Sequence, residues 1–280
     1  MPVAADPRPI GVFDSGVGGL TVLSELRRRL PGESTIYLGD NARTPYGPRP
    51  EDEVQRFTLE SVAWLAAQGI KLLVLACNTA TARALPLVRA TVAVPVVGVV
   101  RPGAVAAAAA TRTGHVAVIA TAGTVESNAY RDAIGEANPA LSVTQQASPD
   151  LVPLVEAGVH EGPEAESAVR RYLDPLFAGD DALDTLLLGC THYPLLRGAI
   201  VATVGPRVTV VDSAFTTALA VEDLLDALGT RSGSDEPPSH RVATTGEVDA
   251  FVAVARRLFG DRLPLVEPVD LRQVTTAAVD

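Results

Sequence analysis

Two cysteines are the only thiols in this 280-residue chain, and each stands where an apolar run stops. Leu186-Leu187-Leu188 is broken by Gly189 before Cys190, Thr191 and His192, and Leu72 to Leu75 is followed by Ala76, Cys77, Asn78 and Thr79. Runs of this kind predict buried parallel strands, and ligand sites in open α/β sheets lie just outside the carboxyl ends of such strands. A thiol with an ordinary pKa of about 8.5 can gain or lose a proton near neutral pH, so both cysteines are candidates for acid/base or nucleophilic work. A lone free cysteine is more often a small buried hydrophobe. Here the two occupy the same place in a repeat.

That repeat sets the elements that must hold them. Twenty residues separate Cys77 from Val97 in a following strand, and twenty separate Cys190 from Val210. Upstream, Ile10 to Gly19, with Asp14 and Ser15, is echoed by Val116 to Thr124, with Thr121; each is a strand followed by small and hydroxyl residues. The expected fold is α/β: two similar domains with mainly parallel sheets flanked by helices, related by a pseudo-twofold axis, with both sulfurs facing one cleft. The first half predicts strands at 9–13, 34–39, 71–75 and 94–100 and helices at 20–30 and 51–68. Between them, Asp40 to Pro48 is a turn-rich loop that offers Tyr46 and Gly47 to the cleft. Asp14 is expected to cap the first helix as well as border the site.

After an alanine-rich helix at 102–110, the second half predicts strands at 115–120, 141–147, 184–188 and 208–211. Its helices fall at 124–137, 164–177 and 193–204, and 150–158 reads as a short apolar turn carrying Glu156. Asp212 and Ser213 cap a helix at 214–228, 229–239 is composed like a mobile loop, and a strand at 241–244 and a helix at 248–259 close the chain. Residues 1–98 plus 213–280 are assigned to the first domain and 99–212 to the second, because the first half lacks other strands to widen its sheet.

Composition excludes several classes. The formal net charge of −10 disfavours nucleic acid as a partner, since phosphate-backbone affinity is supplied by clustered Lys and Arg. No apolar stretch reaches membrane-spanning length, and the N-terminus lacks the basic start and apolar centre of a secretory leader, which predicts a cytoplasmic protein with reduced cysteines. The glycine-rich 14–19 turn lacks both the lysine of a P-loop and dinucleotide-motif spacing, and Asp14 would repel a phosphate there. The chain's one lysine, Lys71, begins a strand rather than a Schiff-base motif, so no cofactor is expected.

Together, Gly11 to Leu20, Pro45-Tyr46-Gly47, Ala76-Cys77-Asn78-Thr79-Ala80, Thr121 to Ser127 and Gly189-Cys190-Thr191-His192-Tyr193-Pro194-Leu195 resemble the motifs of bacterial glutamate racemases, in the aspartate/glutamate racemase superfamily. The resemblance runs in order along nearly the whole chain, with departures at Asn41 and Arg101. It implies inversion of glutamate at its α-carbon without cofactor or metal, supplying D-glutamate for peptidoglycan. Cys77 would act on the D-enantiomer and Cys190 on the L-enantiomer, assisted by Asp14, His192 and Glu156. Ser15, Tyr46, Gly47, Asn78, Thr79, Thr121 and Thr191, with Asp14 and His192, would bind the substrate, and a homodimer is expected. Two acid/base groups on opposite faces of a carbon suffice for such inversion. The alternatives are an aspartate racemase or another superfamily member, and a non-catalytic ligand-binding regulator whose cysteines only pack.

Overall fold

The computed structural model describes residues 5–234, 236–260 and 264–273. Residue 235 of the 229–239 loop, and the expected first domain's ends at 1–4 and 274–280, lie outside the described residues. In the first half the order is β1 (Ile10–Asp14), α1 (Leu20–Arg29), β2 (Thr35–Gly39), α2 (Glu51–Ala67), β3 (Leu72–Leu75), α3 (Asn78–Thr91), β4 (Val96–Gly98) and α4 (Val100–Ala110). The second half runs β5 (His115–Ala120), α5 (Ala122–Glu126), α6 (Ala129–Ala137), β6 (Ser142–Ala147), α7 (Leu151–Glu156), α8 (Gly162–Ala178), β7 (Thr185–Gly189), α9 (Arg197–Val204) and β8 (Thr209–Asp212). The return is α10 (Ser213–Leu228), β9 (His240–Thr244), α11 (Val248–Phe259) and β10 (Val266–Pro268).

These strands form two wholly parallel sheets, β10-β9-β2-β1-β3-β4 and β6-β5-β7-β8. The orders β2-β1-β3-β4 and β6-β5-β7-β8 are the same, so the repeat in the sequence is a repeat in topology. β1, β2, β3 and β7 are buried throughout, as parallel strands covered by helices on both faces must be. Separate apolar clusters fill the two faces of each sheet. α4 closes the second sheet through Val100, Ala104 and Ala107 against Val116, Val118 and Leu187. α10, capped by Asp212 on the Phe215 N–H at 3.0 Å, packs Ala214, Ala218, Val221 and Leu225 into the first core.

Three expectations are corrected. The 124–137 helix is two, because Asn128 adopts φ 57° and turns the chain between α5 and α6. The 150–158 turn is helix α7. Asp14 is not the N-cap of α1, which is Gly19; it lies five residues earlier, where its carboxylate faces the N–H groups of Gly16 and Gly19. The start of the 229–239 loop bonds to the first half of the chain: Arg231 O accepts from Asp6 N at 3.1 Å, Thr230 O accepts from Lys71 Nζ at 2.7 Å, and Ser232 N donates to Glu33 Oε1 at 2.8 Å. In addition, β10 extends the first sheet beyond the strands expected. No helix among the described residues is long and apolar enough to cross a membrane.

Candidate active site

Strand register brings the chemistry to one level. Phe13 pairs with Leu75, so Asp14 and Ala76 follow side by side; Ala120 pairs with Gly189, so Thr121 and Cys190 do the same in the other sheet. The carboxyl ends of both sheets enclose a cavity of about 380 Å³. Both thiols line it, with Ser15, Tyr46, Gly47, Asn78, Thr79, Thr121, Glu156, Thr191 and His192. Asp14 lies just behind the wall, buried. A larger groove of about 1220 Å³, where Asn41 sits, opens at the ends of β2, β9 and β10 and contains neither thiol. Arg101 is exposed on α4.

Cys77 is the N-cap of α3. Its Sγ accepts the Ala80 N–H at 3.4 Å and its thiol donates to Ser15 Oγ at 3.4 Å. Burial, and then the neighbouring Asp14 carboxylate, push this thiol up to about 12, although the Ser15 and Ala80 contacts oppose the shift. Asp14 is itself raised by burial, with the charge of His192 and the N–H groups of Gly16 and Gly19 working against it. One of its oxygens accepts from Gly16 N at 2.9 Å, and the other has no protein partner. The wall around Cys77 therefore holds a protonated thiol beside a carboxyl with a free lone pair.

The opposite wall differs. Cys190 Sγ lies 3.9 Å from His192 Nδ1, and His192 Nε2 lies 3.0 Å from Glu156 Oε1. Burial pulls the imidazole down, but its contacts with Cys190 and Glu156 outweigh that and hold it up at about 10. His192 is thus an imidazolium at neutral pH, a counter-charge for a thiolate at Cys190. Both cysteines are free. Glu156, which reaches His192, is the last residue of α7. Arg257 Nη1 of α11 donates to the Glu156 carbonyl at 2.7 Å, and Gly158, at φ +90°, leaves room for the Arg257 stem, which a Cβ would approach to 2.6 Å.

The hydroxyls are less available than their residue types suggest. Tyr46 donates its hydroxyl to Asp40, and burial followed by that carboxylate raises it well above its ordinary pKa. Thr79 Oγ1 lies 2.9 Å from Thr121 Oγ1 and 3.3 Å from Thr124 Oγ1, a cluster that bridges the two domains. The Gly47 carbonyl accepts from Gly123 N at 2.9 Å, and Thr21 Oγ1 donates to the Thr191 carbonyl at 3.0 Å, two further bridges. Asn78 accepts from Tyr130 at 2.6 Å while its buried Nδ2 has no partner. Arg257, Thr21 and Tyr130 carry no signal in sequence, since each lies inside a helix. Among the described residues no group of three or more His, Cys, Asp or Glu side chains could hold a metal ion.

Fold and site together define a two-domain parallel α/β protein with a thiol on each wall of one interdomain cavity. The model of the Asp/Glu/Hydantoin racemase family matches residues 10–221. A glutamate racemase from Oceanobacillus iheyensis is 47% identical over 252 residues, 90% of this chain and 92% of the relative. The crystal structure of a Bacillus anthracis glutamate racemase isoform superposes with a TM-score of 0.88 at 44% identity, covering 94% of this chain and 98% of that one. The Francisella tularensis glutamate racemase, solved in complex with D-glutamate, gives a TM-score of 0.88 at 33% identity, covering 96% and 99%. The chain belongs to the Asp/Glu/hydantoin racemase family, among the glutamate racemases, and is an amino-acid racemase.

Proposed function

We propose that this enzyme interconverts L- and D-glutamate without a cofactor, by transferring protons between the substrate's α-carbon and two opposed cysteines. The observation that carries the reading is the single cavity with one thiol on each wall, each beside its own acid/base companion. From L-glutamate, a thiolate at Cys190 takes the α-proton, and the electron pair left on the carbon delocalises into the α-carboxylate. The Cys77 thiol returns a proton to the other face. Cys190 ends as thiol and Cys77 as thiolate, and from D-glutamate the roles reverse. His192 and Asp14 carry protons to and from the two sulfurs, and Glu156 holds the imidazolium.

The substrate's carboxylates are held by Ser15, Asn78, Thr79, Thr121 and Thr191, with backbone N–H groups of the Tyr46-Gly47 loop. Lys71 supports a route without a Schiff base, because its Nζ is engaged by Glu33 at 2.6 Å and by two carbonyls away from the cavity. The same reading makes 1–98 with 213–280 one domain and 99–212 the other, and places the enzyme in the cytoplasm as a homodimer that supplies D-glutamate for peptidoglycan and binds no nucleic acid.

Turnover of L-glutamate in deuterated water tests the mechanism. The D-glutamate should carry α-deuterium from its first appearance while recovered L-glutamate stays protiated at low conversion, with the mirror result from D-glutamate. Protiated product in quantity would mean one base serving both faces.

A further inference from the structure

We propose that Tyr130 is a positioning residue for this reaction: from the second domain it fixes the side-chain amide of Asn78, beside Cys77, with the NH2 group turned into the cavity. Tyr130 lies on α6, is fully buried, and sends its phenol across the domain boundary to donate to Asn78 Oδ1 at 2.6 Å. Asn78 lines the cavity, and its Nδ2 is buried with no protein partner. An amide donor left unpaired in a buried site has a cost that a ligand's carboxylate would remove. Because an amide can flip and exchange its donor and acceptor ends, something must choose the orientation. The phenol does so by donating its proton to Oδ1, with the Ser213 hydroxyl beside it.

The same ring touches the other thiol's strand. A Cβ on Gly189, which precedes Cys190, would come within 2.8 Å of Tyr130 Cε2, and one on Gly103 within 3.5 Å of Cε1. Both positions lack a side chain where the ring passes. Tyr130 is therefore a strut between the residue after Cys77 and the residue before Cys190. It acts through Asn78 and touches no substrate, which makes it distinct from a residue that merely fills core.

The inference rests on the reading that the cavity takes glutamate. Tyr130→Phe keeps the ring and removes the donor, so KM for L-glutamate should rise about tenfold with kcat little changed, the effect expected of a lost buried hydrogen bond that orients a binding group. In an Asn78→Ala background the same change should move KM less than about twofold. An equal effect in both backgrounds overturns the proposal. Asn78→Asp retains an acceptor for Tyr130 but turns a carboxylate into the cavity, so it should bind glutamate more weakly than Asn78→Ala; binding as good as wild type overturns the orientation, and this arm decides if Tyr130→Phe does not fold. If wild type fails to turn over glutamate, the substrate reading fails on its own. Asn78 side-chain NH2 resonances of the ligand-free enzyme then decide Tyr130: a shift in Tyr130→Phe supports the strut, and unchanged resonances refute it.

Discussion

Replacing Gly18 by alanine should cost the enzyme about a hundredfold in kcat while leaving it folded. A Cβ at Gly18 would lie 2.4 Å from Thr191 Oγ1 and 2.5 Å from both Cε1 and Nδ1 of His192, about 1 Å inside ordinary van der Waals contact. The backbone at Gly18 is not in the left-handed region, so the effect comes from this collision alone. The cleft cannot simply widen to relieve it, because Thr21, one turn on, holds the Thr191 carbonyl at 3.0 Å. His192 must retreat, and its contacts leave little room: 3.0 Å to Glu156 and 3.9 Å to Cys190. A misplacement of about 1 Å in a proton-transfer group costs on the order of a hundredfold, whereas overpacking costs about 1–3 kcal/mol of stability. At about 2–4 °C per kcal/mol, the melting temperature should fall by roughly 2–12 °C.

Racemisation followed by circular dichroism, with thermal melts of the same samples, measures both. Gly32→Ala is the control, since a Cβ there meets nothing within 4 Å. Wild-type kcat in Gly18→Ala, or a loss matched by Gly32→Ala, would refute the argument that His192 must stand where it does.

Cys77→Ala and Cys190→Ala should each abolish racemisation of both enantiomers while leaving the melting temperature within a few degrees of wild type; substantial turnover by either variant sinks the two-thiol mechanism. The raised pKa of His192 predicts a pH-dependent stability. A group lifted from 6.5 to about 10 on folding stabilises fully below about 6.5, and that contribution fades as pH rises through about 10. The melting-temperature gap between wild type and His192→Asn should therefore shrink between pH 7 and 10.5, and a constant gap would show that the imidazolium is not held by Glu156 and Cys190.

The chain's repeat was legible because parallel strands ending in small residues leave a strong periodic trace, and the two sheets do share one strand order. Elements that escaped did so for local reasons. β10 is three residues long and ends in Pro268, and α7 is a six-residue helix with Pro153 inside it, so neither gives a usable period. Side chains near the cavity were legible where they follow strand ends, as Cys77, Thr121 and Cys190 do. What they bond to was not: the Tyr46 hydroxyl goes to Asp40, and Thr79 and Thr121 bond each other, because partners set by tertiary packing leave no mark on spacing. Gly18 read as one glycine of a glycine-rich turn, yet its missing side chain is what admits His192.

The duplication makes the two thiols equivalent in position but not in charge, and the difference bears on how the enzyme resets. Cys77 is held as a thiol by its own burial and by the buried Asp14 carboxyl it faces. Cys190 faces an imidazolium whose partner Glu156 is about a third exposed. On the proposed two-thiol mechanism, this leaves the ligand-free state poised for L-glutamate, with an acid ready at Cys77 and a counter-charge ready at Cys190. Turnover inverts this, leaving a thiolate at Cys77 beside the Asp14 carboxyl, the less favourable arrangement. On the Cys190 side His192 leads on to Glu156, about a third exposed, while Asp14 is 1% exposed. On that mechanism, recovery of the Cys77 proton is expected to limit successive L-to-D cycles, unless a molecule of D-glutamate returns it by running the reaction backwards.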